Sequence, residues 1–322
     1  MKNIKTQTAL SVCLILWATA FTGIRTALQY YEPAHLSFMR NLFASVVLIP
    51  VAVFMRFRIH SIQDGLLFLI AGTIGIGVYI LTLTTGEQTT TAASASFIVN
   101  SSPVFTAILA TVFLKEKITL TGWMGILITF TGSTLIAFGE NHSLQFSKGA
   151  LLILASALST SIYIVMAKPL LKRYSSIEVT TYIIWAGTIF LFFFSKKWLH
   201  AIQINPLHST LLIVYLALAP GIMAYFLWSY VLSVWDASRT SATLLLVPFI
   251  TILMGIVLNK EMPGWIAIAG GMISVAGVII LFRFGGKNQW MHKTPTERQT
   301  QDVESFAYSF RTRKKRERST IY

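Results

Sequence analysis

The chain has 322 residues, of which 54% are hydrophobic and 12% charged, with a formal net charge of +14 and a mean hydropathy of +0.66. Soluble domains carry roughly 25% charged residues, so a water-soluble globule of this size has too little charge to cover its surface. Cys13 is the only cysteine, which excludes a disulfide-stapled scaffold, and the remaining class is an all-α polytopic membrane protein.

A hydrocarbon core about 30 Å thick is crossed by roughly 20 apolar residues in a helix, and lipid does not tolerate an open strand with unpaired backbone groups. Ten stretches meet that length: residues 8–28, 35–55, 64–84, 89–114 and 121–138, then, after a polar break, 148–170, 178–199, 209–231, 238–258 and 263–284. Lys2, Lys5, the first apolar run and Ala18-Thr19-Ala20 imitate a cleaved signal peptide. The run continues through residues 21–24 and nine spans follow, so the first span is read as an uncleaved helix.

With the amino terminus in the cytoplasm, the inner side collects Lys2, Lys5, Arg56, Arg58, Lys115, Lys117, Lys168, Lys172, Arg173, Arg239 and the basic residues from Arg283 onward. The outer side holds Arg25, Lys148, Lys196, Lys197 and Lys260. This bias predicts that both termini are cytoplasmic.

A displacement of 145 residues lays the fourth and fifth spans over the ninth and tenth without a gap. Ala92 meets Ala237, Ser96 meets Ser241, Pro103 meets Pro248, Lys115-Glu116 meets Lys260-Glu261, Gly125 meets Gly270 and Gly132 meets Gly277. Each copy holds an odd number of helices, so the second is inserted upside down. The expected organisation is a first repeat over residues 1–138, a linker at 139–147, a second repeat over 148–284 and a basic tail at 285–322. Inverted repeats place a substrate site near the bilayer midplane, where the halves meet.

The Trp17-Ala18-Thr19-Ala20-Phe21 stretch, residues 91–96, Pro103-Val104-Phe105-Thr106 and the duplicated Pro–Glu–Gly–Gly spacing resemble the drug/metabolite transporter superfamily, specifically its ten-helix EamA-type members. The resemblance covers residues 8–284. It implies ten transmembrane helices as two inverted five-helix repeats, and export or exchange of small metabolites, amino acids or drugs across the inner membrane, with no prosthetic group. It also implies that the first, third, sixth and eighth helices surround a central cavity, which makes Trp17, Tyr79, Tyr163, Tyr225 and Trp228 candidate walls for stacking or cation–π contact.

Pro103 and Pro248 lie inside their spans, and a mid-helix proline removes a backbone bond and kinks the helix, which suits cavity shaping or gating. Ser96, Asn100 and Pro103 fall at helical spacing and share one face, a polar face that belongs in the bundle interior. Arg40 is the only basic residue well inside a span. It either meets a substrate carboxylate or phosphate or snorkels to the outer interface, about one and a half turns away. Glu87, just past the third span, either titrates in proton-coupled exchange or, the reading preferred, is a loop carboxylate at the outer surface; Glu116 and Glu261 are read as capping or loop-fixing groups.

The small four-helix exporters of the same superfamily carry a glutamate in their first helix. This chain has no acidic residue between Ala9 and Tyr31, which argues against their proton-exchange mechanism. The histidines lack metal-ligand spacing, and nothing pairs a nucleophile with a base, so neither an enzyme nor a metal or cofactor site is expected. The tail ends in a basic run from Arg311 to Arg318. It is expected to be disordered, a solvated topology anchor able to contact anionic lipid, and not to bind nucleic acid. The expected function is a secondary transporter of a small metabolite, monomeric or homodimeric, with a multidrug exporter and a non-transporting scaffold or sensor as alternatives.

Overall fold

The computed structural model describes residues 2–89, 95, 98–141, 148–247, 250 and 265–284. Ser96, Pro248, Glu261, most of the linker and the whole tail lie outside them. The described residues are all helix, turn and loop. In chain order come α1 (Lys2–Ala27), α2 (Pro33–Met55), α3 (Ile62–Glu87), α4 (Ser102–Phe113), α5 (Leu120–Asn141), α6 (Lys148–Leu170), α7 (Ser176–Phe192), α8 (Leu207–Val234), α9 (Ala237–Ala242, continued as a 3₁₀ turn over Thr243–Leu246) and α10 (Trp265–Phe284). Five of these are long and apolar enough to cross a membrane, and α4, α7 and parts of α5 and α10 form four shorter apolar helices.

Local chemistry sets several of these ends. Pro33 sits in the first turn of α2, where its missing N–H costs nothing, and Arg56 closes that helix in a left-handed conformation at φ 55°. Ser61 caps α3 by accepting from Asp64 N at 3.1 Å. Ser175 and Glu178 form a reciprocal capping box at the start of α7. The apolar run expected to continue to residue 199 is broken. α7 stops at Phe192, and Lys197, with φ 64°, precedes a separate short helix, Trp198–Ile204.

The polarity is inside out, as lipid requires. Val53, Phe113, Leu127, Leu151 and Leu211 remain exposed, whereas Ser37, Thr84, Ser45, Thr188, Thr180 and Ser229 are buried. The buried hydroxyls join helices: Ser37 to Thr84 at 2.9 Å, Ser45 to Thr188 at 2.8 Å and Thr180 to Ser229 at 3.0 Å. Between apolar surfaces already matched to lipid, such bonds and close packing hold the bundle together.

The duplication is visible in two places. α3 contains a π-helical turn at Thr73–Val78 and α8 another at Ala217–Met223, the same place in each repeat under the 145-residue offset. α5 and α10 then cross at glycines. A Cβ on Gly125 would lie 2.9 Å from Gly277 O and 2.8 Å from Leu281 N, and one on Gly132 would lie 2.6 Å from Gly270 O. Residue numbers rise on one helix as they fall on the other, so the two run antiparallel. Gly125 and Gly132 meet the counterparts of each other, and the equivalent residues Thr129 and Ser274 meet between them, Ser274 Oγ donating to Thr129 O at 3.3 Å. A pseudo-twofold axis through this crossing relates the halves. The fold is therefore an all-α polytopic bundle of two inverted five-helix repeats.

A candidate substrate cavity between the repeats

A cavity of about 680 Å³, open mouth included, lies where α1, α2, α3, α6 and α8 converge with residues 99–100 and 244–247. Seven of the expected wall residues border it: Trp17, Arg40, Tyr79, Asn100, Tyr163, Tyr225 and Trp228. Ser96 and Pro248 fall outside the described residues. Thr160, Phe21, Leu83, Leu244 and Val247 also line the cavity, and no chemical signal in the sequence singles these out.

The π turns help to build the aromatic wall. A π turn is wider than an α turn and releases a carbonyl; in α8 it also contains Pro220, whose O accepts the Trp17 indole N–H at 3.2 Å. Trp17 is thereby fixed against Tyr225, with ring centroids 5.5 Å apart, and Trp228, at 5.1 Å. Tyr163 continues the row 6.3 Å from Tyr225. It can lie against α3 because Gly75, in the other π turn, has no side chain; a Cβ there would sit 2.6 Å from Tyr163 Cγ. Tyr79 follows that turn directly.

Pro103 requires a correction. The expected kink in a continuous helix is a break. Asn100 and Ser101 form a turn, with Ser101 N bonded to Ile98 O at 3.0 Å and Val104 N to Ser101 O at 3.1 Å. Pro103 then stands in the first turn of α4, where its ring is compatible with helix geometry. The break brings Asn100 to the cavity, while Pro103 does not border it.

Arg40 enters the cavity from α2. It is 6% exposed, makes no hydrogen bond or ion pair among the described residues, and lies within Coulombic reach of Tyr225, Tyr79 and Glu87. Glu87 corrects a second expectation: it is the last residue of α3, not a surface loop carboxylate, and is only 4% exposed. Among the described residues neither of its oxygens has a hydrogen-bond partner. The guanidinium, with two tyrosine rings near it, has the chemistry to receive a carboxylate.

At the opposite end of the bundle, where α1 begins, two buried charges, Glu116 and Lys168, are engaged with backbone. Glu116, in the hairpin between α4 and α5, caps the start of α9. Its Oε1 accepts from Ala237 N at 2.7 Å, and its Oε2 accepts from Ser238 N at 3.1 Å and Ser238 Oγ at 2.7 Å. Lys168 Nζ donates to Leu232 O at 2.5 Å and to Trp235 O, at the C-terminal end of α8. Beside them, burial and the Glu116 charge push the Asp236 carboxyl up to about 6, partly offset by Lys168 and Arg239. Among the described residues no group of three or more His, Cys, Asp or Glu is placed to hold a metal ion.

Comparison with known proteins places this architecture. The EamA-like transporter family matches residues 6–138 and again 147–283. An uncharacterized transporter of Bacillus subtilis is 34% identical over 281 residues, 87% of this chain and 92% of its own length. A protein of Streptantibioticus cattleyicolor named "Probable terminal-alkyne amino-acid exporter" is 33% identical over 283 residues, 88% of this chain and 95% of its own. A solved crystal structure with 16% identity shares the fold at a TM-score of 0.68, over 85% of this chain and 95% of that one. Two family matches in tandem, with an antiparallel crossing between them, lead to one conclusion: the chain belongs to the EamA-like transporter family.

Proposed function

We propose that this protein is a secondary transporter that carries a small, amino-acid-like carboxylate outward across the inner (plasma) membrane by alternating access, with both termini cytoplasmic. The observation that carries the reading is Arg40, a buried guanidinium that borders the cavity and makes no hydrogen bond or ion pair among the described residues. A buried cation left without a partner is costly, and a ligand carboxylate supplies bidentate, charge-assisted bonds. The aromatic row of Trp17, Tyr225 and Trp228 offers an apolar wall for the substrate's side chain. The relative named as an amino-acid exporter supports the same substrate class. On this reading the Glu116 cap closes the cytoplasmic end while the cavity faces outward.

Counterflow of radiolabelled amino acids in proteoliposomes tests it. Exchange that falls about tenfold or more in affinity in Arg40→Gln, with the variant still folded, is the expected result. Exchange indifferent to Arg40, or no exchange of any amino acid, overturns it. The aromatic wall favours a second reading, export of lipophilic cations through cation–π contact; under it, quaternary ammonium compounds exchange and amino acids do not.

A further inference from the structure

Glu87 is the single acidic residue between Asp64 and Glu116, and it is spent neither on a cap nor on a surface loop. It is 4% exposed and neither oxygen is hydrogen-bonded among the described residues. The groups that face it electrostatically are Arg40 of α2 and Arg25 of α1, with Tyr79 on its own helix. α6 lies against the preceding residue, Gly86, through Gly149 and Ile153, and its first residue, Lys148, is exposed. A carboxylate buried without hydrogen bonds keeps its charge only while a cation compensates it. Arg40 acts on Glu87 from the cavity wall and is also the group assigned above to the substrate carboxylate. One guanidinium does not compensate two carboxylates equally well.

We propose that Glu87 is a proton-binding site coupled to the transport cavity through Arg40, so that a substrate carboxylate and a proton bind and travel together. This rests on the reading of Arg40 given above. When a carboxylate engages Arg40, a proton from the solvent on the side to which the cavity is open adds to a Glu87 oxygen. When the carboxylate leaves, the proton returns to the solvent on the side of release. By linkage the effect is reciprocal: protonation of Glu87 tightens carboxylate binding by the factor with which the carboxylate tightens proton binding, a coupling of about tenfold for two charges in a low-dielectric interior. Efflux is then driven by the substrate's own gradient and carries acid outward with it. Ionisable residues buried within membrane helices are a recurrent means of moving protons.

The test uses full-length protein in proteoliposomes, a radiolabelled mixture of L-α-amino acids and a trapped pH-sensitive dye. In the wild type, apparent affinity should rise about tenfold between mildly alkaline and mildly acidic pH, and efflux should carry protons in the same direction. In Glu87→Gln the affinity should no longer depend on pH, whereas Glu87→Asp should keep the dependence. Wild-type efflux without proton movement, proton movement opposite to the substrate, or a pH dependence that survives in Glu87→Gln overturns the proposal. A titration without substrate separates it from the reading of Arg40. Tryptophan emission, to which Trp17 and Trp228 contribute from the cavity, should change with pH in the wild type, not in Glu87→Gln, and at a displaced pH in Arg40→Gln. That pattern supports the Glu87 site even if no amino acid is exchanged, and identical curves in all three proteins overturn it.

Discussion

The two ends of the bundle treat buried charge in opposite ways. Where α1 begins, Glu116 accepts three hydrogen bonds from the start of α9 and Lys168 donates to two carbonyls at the end of α8. Near the other end, Arg40 and Glu87 are equally buried, yet neither makes a hydrogen bond among the described residues. A charge whose bonding capacity is filled by helix termini holds structure in place. A charge left unfilled beside a cavity is available to a ligand. The contrast matters more than the number of charges, because an unfilled buried charge persists only where function gives it a partner.

The largest expected effect breaks the filled end. Glu116→Ala removes three bonds and leaves two backbone N–H groups of α9 buried without partners, each worth about 1–3 kcal/mol. Thermal unfolding in detergent should show a loss of about 3 kcal/mol or more. A cysteine placed at Ser238 should also become reactive to a polar thiol reagent from the side of the bundle where α1 begins. The unfilled end should respond the other way: Arg40→Gln should weaken carboxylate binding by roughly 2–3 kcal/mol and leave unfolding unchanged or improved.

Asp236 sharpens the comparison, since it belongs to the filled end but Oδ1 lacks a hydrogen-bond partner among the described residues. Its carboxyl is raised to about 6 from an ordinary 3.8, so the unfolded chain releases that proton first. Stability should therefore fall as pH rises from about 4 to 6 and stay lower above that range. Asp236→Asn should flatten that slope and raise stability at neutral pH by on the order of 2 kcal/mol. The smallest effect is expected at the wall. Trp17→Phe loses the bond to Pro220 O but keeps an aromatic face, and should change substrate affinity by about threefold.

Arg40 was legible in the sequence because a charged side chain in an apolar run is driven to face the bundle interior, whereas the aromatic residues were picked out by the family resemblance, which names the helices around the cavity. The repeat was legible because Pro, Lys-Glu and paired Gly recur at one offset, and the pairing of α5 with α10 gives those glycines their reason. The π turns were not: hydropathy does not encode the width of a turn. The break at Asn100–Ser101 was hidden because an apolar run reads alike whether its helix is continuous or interrupted. Glu87 was misread because local hydropathy sees only the end of a span, while its burial comes from the packing of other helices around it. Glu116 was recognisable as a capping group, but Ala237, one of its partners, lies 121 residues away, beyond the reach of any local pattern.

The central claim is that the unfilled guanidinium of Arg40 receives a substrate carboxylate. The most direct measurement compares binding of an exchanged amino acid with binding of its neutral carboxamide, in wild type and Arg40→Gln, by calorimetry on purified protein. The amide should bind the wild type about a hundredfold more weakly than the acid, and that preference should disappear in Arg40→Gln. Equal binding of acid and amide by the wild type, or a preference that survives the loss of Arg40, would contradict the account.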